Sequence, residues 1–304
     1  IKNVGLSSPA YSQFVLNKLG HTPFFDYLLK YMDDEKCLLH LSKNLRNSLT
    51  EEDFGQIETI LPPISEQQAI ADYLDRRCSE IDELIALQEE MITKLQSYKQ
   101  SVITEAVTRG LDKNVPLKDS GIDWIGKIPE HWEITLFKRK ITINNGKDYK
   151  NFSDAEIYPV IGSGGCFAYC SNYMYDGEAL LLGRKGTIDK PLYVKGKFWA
   201  VDTMFYAIPH KDLHCKFSYY LALTFPFNLY STSTSLPSLT QTDLGNIPVA
   251  FPSISEQQAI ADYLDRRCSE IDELIALKQQ KIEKLKEYKK SLIFECVTGK
   301  RKVS

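Results

Sequence analysis

Ile64-Ser65-Glu66-Gln67-Gln68-Ala69-Ile70-Ala71-Asp72-Tyr73-Leu74-Asp75-Arg76-Arg77-Cys78 occurs twice in this chain, letter for letter, the second time from Ile254. Identity continues through Leu87 and its equivalent Leu277, at an offset of 190 residues. Such an offset is far beyond a solenoid period, so two large units are repeated rather than many small ones. Each copy reads as a helix. Ser65 or Ser255 is the expected N-cap, and Glu66-Gln67-Gln68 places acid and amide groups in the first turn. From Ile81 the apolar positions follow a 3-4 spacing, Ile81, Ile85, Ile92, Leu95 and Val102, with Gln88 and Lys99 on the same seam. The copy repeats it as Ile271, Ile275, Ile282, Leu285 and Leu292, with Lys278 and Lys289. Neither helix meets Gly or Pro before Gly110 or Gly299. Roughly 44 residues at about 1.5 Å each give a rod near 65 Å, and two such seams are expected to pack antiparallel. The polar seam residues require a fixed register or partner contact.

Working outward, the repeat reaches back from each helix. Ser48-Leu49-Thr50, Asp53, Gly55 and Ile57 match Ser238-Leu239-Thr240, Asp243, Gly245 and Ile247. The region between the helices carries short strand-like runs at 134–137, 157–161, 179–182, 191–194 and 198–204. Turns are expected at Asn145-Gly146, 162–165, Asp176-Gly177 and Lys195-Gly196, and a helix at 217–224. The fold class is therefore α+β: β-rich globular parts with two long antiparallel helices as a coiled-coil spacer. The expected boundaries are 1–63, 64–110, 111–253 and 254–304.

Bulk properties exclude little. The net charge is -3, from 37 basic against 40 acidic residues, with 43% hydrophobic and 25% charged residues, as in an ordinary soluble protein. No apolar run approaches a membrane span, and the start at Ile1 is no signal peptide. The absence of an initiator Met suggests processing or a chain missing its natural front. Seven scattered cysteines suggest reduced thiols and a cytoplasmic setting. Charge is nevertheless localised: residues 138–197 hold ten Lys or Arg against six Asp or Glu. The cations fall in or beside predicted turns, interleaved with Tyr149, Phe167, Tyr169, Tyr173 and Tyr175. Cations neutralise phosphates and polar loop groups reach base edges. A solvated surface is the plain alternative.

Three stretches carry a resemblance. They are the Pro-x-Ile-Ser-Glu-Gln-Gln-Ala-Ile-Ala-Asp-Tyr-Leu-Asp signature at Pro62 and Pro252; Asp119-Ser120-Gly121-Ile122-Asp123-Trp124-Ile125-Gly126-Lys127-Ile128-Pro129-Glu130-His131-Trp132; and Tyr158-Pro159-Val160-Ile161-Gly162-Ser163-Gly164-Gly165 with Leu181-Leu182-Gly183-Arg184-Lys185-Gly186. In that order they resemble the specificity subunit of type I restriction-modification systems. The resemblance implies target recognition domains that each read half of a bipartite site on double-stranded DNA, with the two helices as spacer and scaffold. It also implies two methyltransferase (modification) subunits that carry the S-adenosylmethionine, so no cofactor is expected in this chain, and a restriction subunit in some assemblies. Residues 1–63, including Leu6-Ser7-Ser8-Pro9-Ala10-Tyr11, match only the closing part of a first recognition domain. The expectation is a non-catalytic DNA-reading subunit. The alternative is a coiled-coil assembly module, or a half-reader completed by another chain or by self-association.

The expected DNA contacts are Arg184, Lys185 and Gly186, then Lys147, Tyr149, Ser163 and Gly164, then Ser233 and Thr234 in a hydroxyl-rich run. Several patterns tempt other readings. Gly162-Ser163-Gly164-Gly165 lacks the full dinucleotide spacing and a following helix. Cys166 and Cys170 with His210, His214 and Cys215 follow no common zinc spacing, so no metal is expected. No Asn-Pro-Pro-Tyr or Asp-Pro-Pro-Tyr methyltransferase motif occurs. Nuclease-like spacing at Glu283-Lys284-Leu285-Lys286 is expected by chance in so charged a helix.

Overall fold

The computed structural model describes residues 16, 18–34, 55–152, 155–231 and 237–303. Ser233, Thr234, most of the 48–57 match and the 6–11 stretch lie outside the described residues. The chain divides into two compact units, one of residues 1–94 and 274–304, the other of residues 95–273. The division between these units falls within each long helix.

Those helices are α2 (Ile64–Arg109, 46 residues) and α6 (Ile254–Val297, 44 residues), the latter preceded by the short α4 (Phe227–Tyr230) and α5 (Gln241–Gly245). A shorter α1 (Thr22–Asp34) precedes them. The expected caps need correction, because both helices begin one residue before Ser65 and Ser255. The amides of Glu66 and Gln67 donate to the Pro63 carbonyl, at 2.9 and 3.0 Å. In the second copy the Glu256 amide donates to Ser253 Oγ at 3.4 Å. The duplicated letters start inside the first turn, so the cap falls on residues that differ between copies.

In each unit the helices run antiparallel. In unit two Lys99 reaches Asp272, while Gly110 lies against Glu256. As one helix advances, the other retreats. Ile271 and Val102 are buried, and Leu95 is half-buried. In unit one Lys289 reaches Asp82, and Ile81 and Leu292 share a core with Cys78, Ile293 and Cys296. Ile85 and Leu285 pack against that core. Ile282 is buried, and Ile92 and Ile275 are half-buried. The polar seam positions Lys99 and Lys289 thus fix register. Lys99 Nζ donates to both Asp272 oxygens (2.7 and 2.6 Å), and Lys289 Nζ to both Asp82 oxygens (2.7 Å each).

Unit two is built on a six-stranded sheet. In chain order its globular strands are β1 (Leu117–Asp119), β2 (Lys127–Pro129), β3 (Glu133–Leu136), β4 (Ile141–Asn145), β5 (Tyr158–Gly162), β6 (Gly165–Cys170), β7 (Tyr175–Gly183), β8 (Leu192–Ala200), β9 (Met204–Pro209) and β10 (Pro248–Phe251). The large sheet has the order β4-β9-β7-β8-β5-β6, antiparallel except for β5 with β8. Two ribbons, β1-β2 and β3-β10, complete it. The run Ala179-Leu180-Leu181-Leu182 is wholly buried because β7 is central and covered on both faces. Leu180 and Leu182 join a core with α2, α6 and α3 (Cys215–Ala222); Ala179 and Leu181 join one with Val160, Phe198 and Met204.

Two predicted turns are corrected. Gly177 and Gly196 do not break the chain; they face each other as a cross-strand pair inside β7 and β8. Gly196 takes φ of +97°, which glycine adopts within a ladder without Cβ strain. The run expected at 198–204 is also divided, since β8 ends at Ala200 and β9 begins at Met204. The β6 strand had no separate signal.

The structure also extends the repeat further back than the letters did. Gln67 Nε2 donates to the carbonyls of Leu19 (2.9 Å) and Pro62 (2.8 Å), and its Oε1 accepts the His21 amide at 2.8 Å. Gln257 Nε2 likewise donates to the carbonyls of Asp212 (3.1 Å) and Pro252 (3.0 Å), while Oε1 accepts the His214 amide at 2.8 Å. Both amides are buried and fully paired. Tyr27 then donates to Asp75 (2.7 Å) as Tyr220 does to Asp265 (2.9 Å). Burial first, then these carboxylates, push both phenols well above the usual tyrosine value. Each long helix is therefore locked to the helix before it, α1 or α3, by the same side chains.

Candidate nucleic-acid interface

Four loops of unit two are tied together by hydrogen bonds around residues 200–204. They follow β4 (Gly146 to Lys150), join β5 to β6 (Ser163, Gly164), follow β7 (Arg184 to Thr187) and join β8 to β9 (Val201 to Thr203). The β8–β9 turn is the hub. The Gly146 amide donates to Met204 O and the Lys147 amide to Ala200 O, both at 2.9 Å. Trp199 Nε1 donates to Lys147 O at 2.8 Å, and the Val201 amide to Ile161 O at 3.2 Å. The Arg184 amide donates to Thr203 O at 2.8 Å, and its guanidinium to Asp202 O at 3.3 Å. Gly186 and Arg184 are tied in turn to the stretch around Pro237 and Leu239.

Close approach dictates the residue at one of these positions. A Cβ on Gly146 would lie 1.9 Å from the Val201 carbonyl oxygen, so no side chain fits. The expected Asn145-Gly146 hairpin turn is thus corrected: this glycine lets two loops touch.

Between the loops lies a cleft of about 550 Å³, lined by residues that include Tyr149, Lys150, Ser163, Gly164, Phe167 and Asp202. Tyr149 meets Phe167 edge to face at 5.8 Å, and Phe167 is 60% exposed. Lys147, Lys150 and Lys185 are exposed and Arg184 is half-buried, while Asp148 and Asp202 line the cleft with Lys150. The cleft thus carries both charges and an exposed Phe167 ring, with further cations on the adjoining loops. Such a surface can neutralise phosphates and offer hydroxyls, amides and rings to base edges.

Of the residues singled out from sequence, Tyr149, Ser163 and Gly164 line the cleft; Lys147, Arg184 and Lys185 stand on loops whose amides bond the β8–β9 connection, and the Gly186 amide bonds Pro237 O. Ser233 and Thr234 lie outside the described residues. The sequence reading missed Val201, Asp202 and Thr203, which carry no signal of their own because their role is to accept bonds from distant loops. Phe167 had appeared only among the interleaved aromatics.

The decoys separate. Gly162 to Gly165 makes the tight β5–β6 connection. Cys166 is exposed on β6 while Cys170 is buried and donates to Asn172 O at 3.0 Å. His210 bonds Thr142 and the Arg139 carbonyl, and His214 caps α3. Among the described residues no three His, Cys, Asp or Glu are grouped to hold a metal ion. Nor is any described helix long and apolar enough to cross a membrane.

The family model of the type I restriction modification DNA specificity domain matches residues 129–287, over half of the chain. The chain belongs to this family. The match takes in every loop of the cleft. The specificity domain is similar to the type I restriction enzyme MjaVIII specificity subunit of Methanocaldococcus jannaschii, at 26% identity over 82% of this chain and 63% of that protein. The putative type I restriction enzyme MjaX specificity subunit of the same organism is 25% identical over 91% of this chain and 67% of its own length. The chain therefore spans about two thirds of these relatives. A chain from the solved structure describing complex assembly and conformational transition of the type I R-M system shares the fold. Its TM-score is 0.74 at 16% identity, covering 91% of this chain and 70% of that one.

Proposed function

We propose that this chain is a sequence-specific, non-catalytic DNA-binding subunit of a type I restriction-modification assembly. The carrying observation is a cleft lined by Tyr149, Lys150 and Ser163, with the loops of Lys147, Arg184 and Lys185 bonded to its β8–β9 side, inside the stretch that the specificity family matches. The cations position the duplex on its phosphates, and the loop hydroxyls, amides and rings face base edges in a groove. One half of a bipartite target is read here. The paired helices scaffold two modification subunits, which carry the S-adenosylmethionine and direct it to adenine, and a restriction subunit joins them in the cytoplasm. Helix length sets the separation between half-sites.

The test joins binding to function. Purified with its modification partner, the chain directs methylation to particular sites; alone it neither methylates nor cuts DNA. Arg184→Ala with Lys185→Ala weakens binding and flattens the dependence of log K on log salt by roughly 2, about 0.9 for each lost phosphate contact. Partner assembly is unchanged. Unaltered affinity and slope would remove this loop from the interface.

A further inference from the structure

The β8–β9 turn carries a carboxylate that the fold of the turn does not use. The turn runs from Val201 to Met204 and is closed by the Met204 amide, which donates to Val201 O at 2.9 Å. Asp202 and Thr203 stand at its corners. Neighbouring segments fix the main chain from outside. The Val201 amide donates to Ile161 O at 3.2 Å, and the Asp202 and Thr203 carbonyls accept from the Arg184 guanidinium (3.3 Å) and amide (2.8 Å). The Asp202 side chain takes no part in this. Asp202 is exposed and lines the cleft, and among the described residues no donor bonds its carboxylate.

Aspartate in a turn ordinarily accepts a bond from a nearby backbone N–H. Asp148, which lines the same cleft, does so, its Oδ1 accepting the Lys150 amide at 3.0 Å. Asp202 makes no such bond, and the Arg184 guanidinium goes to its carbonyl oxygen instead. An unpaired carboxylate in a cleft that receives a polyanion weakens binding of every duplex, unless the bound one supplies a donor. The DNA backbone carries no N–H or O–H, so the donor must be a base amino group. In the major groove those are cytosine N4 and adenine N6. Adenine sets the acceptor N7 beside its amino group, which repels a carboxylate, whereas cytosine sets the apolar C5–H there. The cleft has a surface for that edge in Phe167, which is 60% exposed. A Cβ at Gly162 would lie 3.2 Å from Phe167 Cε1 and 3.7 Å from Val201 Cγ2, so the ring and the residue before Asp202 flank the same glycine.

We propose that Asp202 is a specificity-determining residue that accepts a hydrogen bond from the N4 amino group of a cytosine in the half-site, with Phe167 against the C5 edge of that base. The inference rests on the DNA-reading role proposed above and deepens it. Thymine and guanine turn acceptors to the major groove, O4 in one and O6 with N7 in the other, so repulsion excludes them. Arg184 is then a positioning residue for the turn, through its bond to the Asp202 carbonyl. Loss of the Asp202 carboxylate strengthens binding to unrelated DNA, opposite in sign to the loss of Arg184 and Lys185.

The experiment uses the full chain with its modification partner and a library of randomised duplexes, selected for binding at matched salt and sequenced. The wild-type complex is expected to favour cytosine at one position by about ten-fold, the lower end for a base contact because one carboxylate meets one amino group. Asp202→Ala removes that preference, tightens binding to random duplexes and leaves the other positions as they were. Asp202→Asn keeps the shape of the side chain and moves the preference to adenine, whose N6 and N7 match an amide. A motif unchanged in both variants would overturn the proposal and leave the DNA-reading role standing. Loss of all binding by both variants would assign Asp202 a structural role, and overturn it too. A wild-type complex that enriches no motif would refute the DNA-reading role itself, and this inference with it.

Discussion

From Ile64 to Leu87 and from Ile254 to Leu277 the chain presents identical letters in two settings. The inward-facing groups behave alike in both. Gln67 and Gln257 clasp three backbone groups each, and Asp82 and Asp272 receive a lysine from the opposite helix. The outward-facing groups do not. Glu256 is held by Trp132 and His131, whereas Glu66 faces solvent. Identical sequence therefore fixes the pairing of the helices but not what covers their starts. That cover comes from segments remote in sequence, and only unit two shows a tryptophan-bearing one.

Three sets of substitutions test this contrast. The largest effect is expected for Trp132→Ala. It removes a fully buried ring and leaves Glu256 without its indole donor, at a cost of about 3–5 kcal/mol in denaturant unfolding. Unit one has no such residue to lose, so the effect should be confined to exchange protection within residues 95–273. Unchanged stability would show that the segment carrying Trp132 is not what distinguishes the units. Next come Gln67→Leu and Gln257→Leu, each removing three hydrogen bonds to backbone groups. Roughly 1–3 kcal/mol is expected for either. Similar costs would sharpen the view that the anchors are equivalent; a strongly unequal pair would break it. The smallest effect belongs to Lys99→Ala and Lys289→Ala. These cross-helix ion pairs leave the lysines 28% and 18% exposed and the aspartates over half exposed, so solvent screening holds each to about 0.2–1 kcal/mol. That contribution should shrink in high salt, which thermal melts at two ionic strengths would read.

Much of this architecture is legible in the letters, for definite reasons. The helices announce themselves through a 3.6-residue pattern that contains all the information it needs, and their duplication makes an antiparallel partner available. Their first residues were less legible, because the cap depends on Pro63 and Ser253, just outside the identical stretch. The earlier match of His21 to His214 was obscured because the offset there is 193 rather than 190, and few letters survive around it. Gly177 and Gly196 carry turn letters, yet they sit opposite each other in long strands. Local propensity cannot register a cross-strand pair.

The cleft divides in the same way. Its cations, hydroxyls and glycines could be chosen by residue type and by their position in turns. Their common location could not. It depends on Val201, Asp202 and Thr203, whose backbone joins loops separated by some 20 to 60 residues of chain.

The sequence by itself determined the duplication, the two long helices, their apolar seams and the β-rich body between them, since periodicity and repetition are properties of neighbouring letters. Only the tertiary structure decided which loops share a cleft, which glycines are strand interiors and which helix start is covered. Those outcomes rest on hydrogen bonds and burial between residues far apart in the chain, and no local pattern encodes them.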